Sequence, residues 1–282
     1  MKNIVVIYHG KCPDGFSAAW IAWKKFGDKA EYIPVRHGET PPEDLAGKEI
    51  YFLDFVYPVD LMAKVVKESK RVIVIDHHKS AEESVKMAHE YIYEMNHSGS
   101  ALAWRYFYPD LVLPWLVRYI EDMDIWKLEL PDVFAVAMVV NSIEQDFDTW
   151  TKLARDFDND STRNKQIEQG KIMLKYENKL MDEMMDSNKE IVKFEGHETY
   201  AVNAPHVFAS QMGNALCKEK PPIAIVWQRS GGKLEVSLRS DGSIDVSEIA
   251  KKYGGGGHKA AAGFKVAAEQ SFPWKIIKID EK

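Results

Sequence analysis

Continuous apolar runs recur through the first half of the chain, and each ends on a polar residue. Residues 4–7 are Ile-Val-Val-Ile, followed by Tyr8 and His9. Residues 50–53 lead to Asp54, and residues 72–75 lead to Asp76, His77 and His78. β-branched and aromatic runs of this length, with no polar alternation, predict strands buried on both faces, as in a parallel sheet. Between them lie helix-like segments. Residues 15–26 carry small and apolar faces, and residues 58–67 place Val59, Met62, Val65 and Val66 at helical spacing. Residues 32–35 and 91–93 predict further short strands. Ser98-Gly99-Ser100 opens a helix beginning at Ala101, and helical character continues over 111–120. This βαβα order predicts a doubly wound parallel sheet.

The pattern changes after that. Residues 163–187 form one long, charged, amphipathic stretch with Ile167, Leu174, Met181 and Met185 among its apolar positions, which predicts a connecting helix. Residues 223–227 and 234–238 read as two strands joined by the Gly231-Gly232 turn. An amphipathic helix over 246–253 leads into four glycines and His258. The alanine-rich residues 260–263 read as a helix start, with a final strand near 264–266. The expected fold class is α/β: a parallel doubly wound sheet domain over 1–160, a helical connector over 161–195 and a smaller α+β domain over 196–282.

Composition narrows the function classes. A chain of 282 residues with 45% hydrophobic content has enough material for a full core in each of two domains. No apolar stretch approaches a bilayer span, and the N-terminus enters a strand without a signal-peptide pattern. Two cysteines, Cys12 and Cys217, exclude a disulfide framework and make the cytoplasm the expected location. A net charge of −6 argues against wrapping long duplex DNA by phosphate neutralisation.

The chemistry gathers at the strand ends. In open α/β sheets the functional crevice lies beyond the carboxyl ends of the strands. Three such ends deliver His9, Asp54, Asp76, His77 and His78 to one place. Either aspartate alone reads as a helix cap. Adjacent histidines straight after a buried strand are harder to explain by packing, because each ring nitrogen needs a partner. Imidazole and carboxylate together, without clustered thiolates, form a ligand set for the harder divalent ions. Other residues read as ordinary. Trp20, Trp23, Tyr51 and Tyr57 fit a core or cleft wall. His37, His89 and His197 fit the surface, as do Lys79 and Glu121, and nothing singles out His206.

Four motifs in order resemble the DHH phosphoesterases that carry a C-terminal DHH-associated domain, the oligoribonuclease-like relatives of RecJ-type exonucleases. They are residues 9–16 (His9-Gly10-Lys11-Cys12-Pro13-Asp14-Gly15-Phe16), Asp54, Asp76-His77-His78, and Asp122-Met123-Asp124-Ile125-Trp126. The associated domain is marked by Ser237-Leu238-Arg239-Ser240 and by the glycine run ending in His258. The resemblance spans nearly the whole chain. It implies a hydrolase cleaving phosphoesters of short oligonucleotides or small nucleotides by in-line attack of metal-activated water. It implies two divalent metal ions, Mn²⁺ by family habit. One is held by His9 and Asp54, and Asp54 bridges to a second held by Asp14, His77 and Asp124. Asp76 would orient His77, and His78 would face a substrate phosphate, both as catalytic residues. Asp122 would stand behind the ligands or at the surface. Cys12 replaces the family's usual first aspartate and reads equally as a thiolate ligand or a small buried filler. Arg239, Gly255, Gly256, Gly257 and His258 would bind substrate, the glycines assisted by a following helix N-terminus. A homodimer is compatible with the family. Two rival readings stay open: a pyrophosphatase or polyphosphatase with the same core, and a nucleic-acid-binding module whose metal site has decayed.

Overall fold

The computed structural model describes residues 2–267, 269 and 271–277. Residues 278–282, the end of the expected second domain, lie outside the described residues. The chain divides into two compact units, 1–174 and 175–282.

The first unit carries five parallel strands: β1 (Ile4–His9), β2 (Ala30–Val35), β3 (Glu49–Leu53), β4 (Arg71–Asp76) and β5 (Glu90–Tyr93), in the order β2-β1-β3-β4-β5. Helices α1 (Pro13–Phe26), α2 (Val59–Glu68) and α3 (Glu82–Val85) lie along the crossovers. Then follow α4 (Gly99–Phe107), α5 (Trp115–Asp124), α6 (Val133–Ser142) and α7 (Phe147–Asp158). Successive strand residues point to opposite faces, so the continuous apolar runs supply two cores at once. Val6, Tyr8, Leu53, Ile73 and Ile75 pack with α1 and α4–α7. Val5, Ile7, Phe52, Val72 and Val74 pack with α2 and α3. Burial on both faces explains why no polar residue interrupts these strands before their carboxyl ends.

Helix α1 starts at Pro13 rather than at residue 15, because proline is well placed in a first turn, where no N–H partner is needed. Helix α5 starts at Trp115. Pro114 precedes it, so residues 111–114, expected to be helical, are not.

Helix α8 (Asp160–Asn188) runs across the boundary of the two units. It ends at Asn188, and residues 189–194, expected in the connector, form strand β6 (Lys189–Phe194). The second unit adds β7 (His197–Asn203), α9 (Ala209–Glu219), β8 (Ile223–Ser230), β9 (Lys233–Ser240), α10 (Val246–Lys252), β10 (Gly256–His258), β11 (Ala261–Ala267) and β12 (Lys275–Ile276). These strands form one sheet in the order β10-β11-β9-β8-β7-β6-β12, in which only the β7–β8 pair is parallel.

The alanine-rich segment after His258 is not a helix start. It is β11, paired antiparallel to β10 through the two-residue turn Lys259-Ala260, with His258 opposite Ala261. Sheet pairing on both sides of β11 overrides the helical preference of alanine. The glycines allow the close approach. A Cβ at Gly255 would lie 2.1 Å from the Gly263 carbonyl oxygen, and one at Gly257 would lie 2.6 Å from that of Ala261. A Cβ at Gly256 would meet open space. Gly255→Ala and Gly257→Ala are therefore expected to destabilise the protein by roughly 1–3 kcal/mol, as overpacking does. Gly256→Ala is expected to cost less than about 1 kcal/mol. Urea unfolding of the three variants measures this, and equal losses at all three positions would contradict the steric account.

Candidate metal centre

The carboxyl ends of β1, β3 and β4 meet the N-termini of α1 and α4. His9 ends β1, Asp54 follows β3, and Asp76 ends β4 with His77 and His78 after it. Asp54 is 1% exposed and has a left-handed backbone, φ 55°. That conformation is uncommon for a residue with a side chain, and such residues cluster at functional sites. The Asp54 N–H donates to the Ile75 carbonyl at 2.9 Å, which ties the turn to β4.

The two oxygens of Asp54 face different imidazoles. Oδ2 lies 3.5 Å from His9 Nδ1, and Oδ1 lies 3.3 Å from His77 Nε2. The same His77 Nε2 is 3.4 Å from Asp124 Oδ2 at the end of α5. None of His9 Nδ1, His77 Nε2 or the two Asp54 oxygens has a hydrogen-bond partner, although all are buried. Buried polar atoms without partners are rare and call for an explanation. Three overlapping groups of ligand atoms each lie within 4.8 Å: His9, Cys12 and Asp54; Asp54, His77 and His78; Asp14, His77 and Asp124. Cations held in these groups would give the unpartnered atoms of His9, Asp54 and His77 a partner, so the residues fit divalent ions of the kind that oxygen and imidazole donors prefer.

Asp14 sits in the first turn of α1, fully buried. Its carboxylate accepts hydrogen bonds from the Ser100 N–H at 3.1 Å and from the Ser100 hydroxyl. Burial and the Asp54 charge push its pKa up to about 6, against the pull of Ser100 and Ser98. Burial also works against the Asp54 charge, yet His77, His9 and His78 hold its carboxyl well below the usual carboxylate range. Cys12 is the residue before α1, and burial followed by the Asp54, Asp14 and Asp124 charges pushes its thiol well up.

Gly99 makes the assembly possible. A Cβ there would lie 2.6 Å from Asp54 Cβ and 3.0 Å from Asp14 Oδ2. Ser98 caps α4 through the Ala101 N–H, so helix capping and ligand support come from one short segment. Neither role of Gly99 is visible in a motif; only the approach of α4 to β3 reveals it.

Several expectations need correction. Asp76 holds His78, not His77: its Oδ1 lies 2.8 Å from the His78 backbone nitrogen and 2.9 Å from His78 Nδ1. An aspartate bonds readily to the amide two residues on, and this brings the neighbouring ring with it. Burial opposes a charge on His78, but Asp76 and Asp54 push its pKa up to about 10. Asp122 is not at the surface. Its carboxylate accepts from the Glu129 and Leu130 amides at 3.0 and 3.1 Å and closes the loop after α5. Glu121 is not a solvated helix residue but pairs with His97 Nδ1 at 2.6 Å. His37 is exposed, yet its ring lies 5.3 Å from that of His9 and 5.2 Å from that of Phe55. It follows a weakly apolar strand, so sequence pattern offered no signal for it. His89 accepts from the Val72 N–H, and Trp20 and Tyr57 are core.

In the second unit, Arg239 pairs with Ala261, and Ala261 with His258. Paired residues share a face of the sheet, so Arg239 and His258 flank a small alanine. The Arg239 guanidinium donates to Ser210 Oγ at 2.7 Å and to the Leu238 carbonyl at 2.9 Å. Gly213 on α9 makes room for it, since a Cβ there would lie 2.6 Å from Arg239 Cγ.

Known proteins add to the geometry. The DHHA1 domain family matches residues 203–278. An uncharacterized protein of Acanthamoeba polyphaga mimivirus is 32% identical over 92% of this chain and 66% of its own length. Oligoribonuclease NrnB of Bacillus subtilis is 38% identical over 33% of this chain and 24% of its own. The chain therefore spans about two thirds of the first relative and a quarter of the second. Among solved structures, RecJ of Thermus thermophilus in complex with Mn²⁺ covers 93% of this chain and 49% of that one, at 13% identity and a TM-score of 0.54. That likeness is one of fold.

Gly99→Ala is expected to displace Asp54 or Asp14 and weaken manganese binding at least tenfold while the protein stays folded. Calorimetric titration of both proteins measures it, and unchanged affinity would contradict the role given to Gly99. His78 supplies a pH effect. Its folded pKa, about 10, exceeds the ordinary value of about 6.5. Its stabilising contribution is complete below about pH 6.5 and is lost as pH rises toward 10. Metal-free wild type should thus lose more stability than Asp76→Asn between pH 6 and 9. Equal losses in urea unfolding would refute the Asp76–His78 pairing.

Proposed function

The chain belongs to the DHH family of phosphoesterases, and on that footing we propose that it is a divalent-metal-dependent phosphohydrolase of short oligonucleotides or small nucleotides. The observation that carries the reading is the set of buried, unpartnered donors on His9, Asp54 and His77. Hydrolysing a phosphoester requires charge neutralisation and an activated water, and bound divalent ions supply both.

The residues would divide the work as follows. His9 and Asp54 would hold one ion, with Cys12 as an additional ligand once the metal displaces its thiol proton. Asp54, Asp14, His77 and Asp124 hold a second, of which manganese suits the donor set. Asp54 would serve both, since its two oxygens face different imidazoles. Ser100 fixes the Asp14 carboxylate through its amide and its hydroxyl. His78, kept cationic by Asp76, would offset charge developing on phosphoryl oxygens. Arg239 and His258 would bind a phosphate or nucleotide end of the substrate, with Gly255, Gly256 and Gly257 contributing at the same place, where Gly256 and Gly257 lie in the strand that carries His258. A short oligonucleotide is favoured over a polyphosphate by the sequence likeness to a protein named an oligoribonuclease.

Purified protein with manganese, given RNAs and DNAs of two to five nucleotides, a nucleoside bisphosphate and pyrophosphate, tests the reading. Hydrolysis of the short oligonucleotides is expected, and a preference for pyrophosphate would overturn the substrate class. Asp54→Ala and His77→Ala are each expected to lower kcat at least a thousandfold with the fold intact, Asp54→Ala more. Near-wild-type turnover in either would refute the ligand assignment. Arg239→Ala is expected to lower kcat/KM for a dinucleotide at least tenfold and to affect bis-p-nitrophenyl phosphate much less, because binding energy from a remote group serves only substrates that possess it. Equal losses on both substrates would contradict a role in substrate choice.

A further inference from the structure

A cavity of about 200 Å³ opens beside the ligand cluster in the first unit. Cys12, Asp14 and Asp124 line it on the cluster side, and these residues also belong to the groups of ligand atoms. Beyond them the walls are apolar. Tyr119, Ile120 and Met123 of α5 and Val136, Ala137 and Val140 of α6 all line it. Most of these side chains are held in the core, Tyr119 at 3% exposure, Val136 at 1% and Val140 at 4%. Asn141 lies at the exposed rim and offers an amide with both a donor and an acceptor.

We propose that this cavity is the subsite for a nucleobase of the substrate, the ring attached to the phosphate held at the metal cluster. The proposal deepens the phosphohydrolase reading and rests on it. Three observations narrow the occupant. The cavity is continuous with the cluster, so what enters it is joined to the group held there. The apolar walls of Ile120, Met123, Val136 and Val140 offer no cation and little hydrogen bonding to a phosphate or a sugar. The size suits one flat ring system: an apolar cavity of about 150 Å³ admits benzene, and this one is somewhat larger. Apolar walls with one amide at the rim are the usual composition of a small-molecule site, in which few polar groups set orientation. The Asn141 amide would meet the polar edge of the ring while Ile120 and Val136 cover its face. Pyrophosphate and polyphosphate have no group for this cavity, so the inference also separates an oligonucleotide substrate from an inorganic one.

The test compares binding of nucleoside 5′-monophosphates with binding of ribose 5-phosphate to the manganese-supplemented full chain, by calorimetry. Wild type is expected to bind the nucleotides at least tenfold more tightly. Ala137→Phe, which fills the cavity from a partly exposed position, is expected to reduce that ratio below about twofold. Asn141→Ala, at an exposed position that leaves the core untouched, is expected to weaken nucleotide binding about fivefold, the size of one net hydrogen bond, without weakening ribose 5-phosphate. Equal affinities in wild type would overturn the proposal, and so would a ratio that both substitutions leave intact. The hydrolysis assay is read separately. A base preference that disappears in Ala137→Phe, in a protein that cleaves no dinucleotide, would support the ring subsite and overturn only the hydrolase reading.

Discussion

A carboxylate buried to 1% exposure at the end of a parallel strand is the constraint on which the first unit turns. Burial works against the Asp54 charge, and the surrounding imidazoles favour it. Neither Asp54 oxygen has a hydrogen-bond partner. Burying a charge costs several kcal/mol, and His77, His9 and His78 offset part of that cost here. His9 and His77 each turn a nitrogen toward Asp54, and Asp14 and Asp124 add carboxylates that make the cluster more anionic still. The left-handed backbone of Asp54 and the missing side chain of Gly99 are the structural cost of bringing these groups together. A cluster of this kind is well suited to holding cations.

The strands, and the residues at their ends, were legible in the chain because burial on both faces leaves an uninterrupted apolar run. Such a run needs no alignment to recognise, and the polar residue that ends it marks the crevice. Asp124 was legible only through its motif, since nothing in the periodicity of α5 distinguishes it from Asp122. The structure separates the two: Asp122 turns inward to loop amides, and Asp124 turns toward His77. What could not be read depends on contacts between distant segments. The His97–Glu121 pair joins residues 24 apart, the contact between His37 and His9 joins the loop after β2 to the end of β1, and Gly99 matters only where α4 meets β3. The pairing of Asp76 with His78 is hidden for a local reason: either histidine is within reach in sequence, and only the turn geometry decides.

The second unit shows the limits of composition in a different way. Four glycines, a histidine and three alanines suggest a flexible turn and a helix, yet they form a hairpin at the edge of a sheet. Sheet register then does what a motif cannot: it sets Arg239, Ala261 and His258 in one row. Gly213 and Ser210 on α9 fix the arginine, one by making room and the other by accepting its hydrogen bond. A cation held this firmly is preorganised for an anionic ligand, because little side-chain freedom remains to be lost on binding. Among the described residues no helix is long and apolar enough to cross a membrane.

The central claim is that Asp54 is the shared carboxylate of a divalent metal centre. Anomalous X-ray scattering at the manganese edge, from crystals grown with manganese, tests it most directly. The account predicts manganese density in contact with both Asp54 oxygens, one ion also touching His9 and the other His77. Manganese density elsewhere in the protein, or an Asp54 carboxylate without a metal neighbour at saturating manganese, would contradict it.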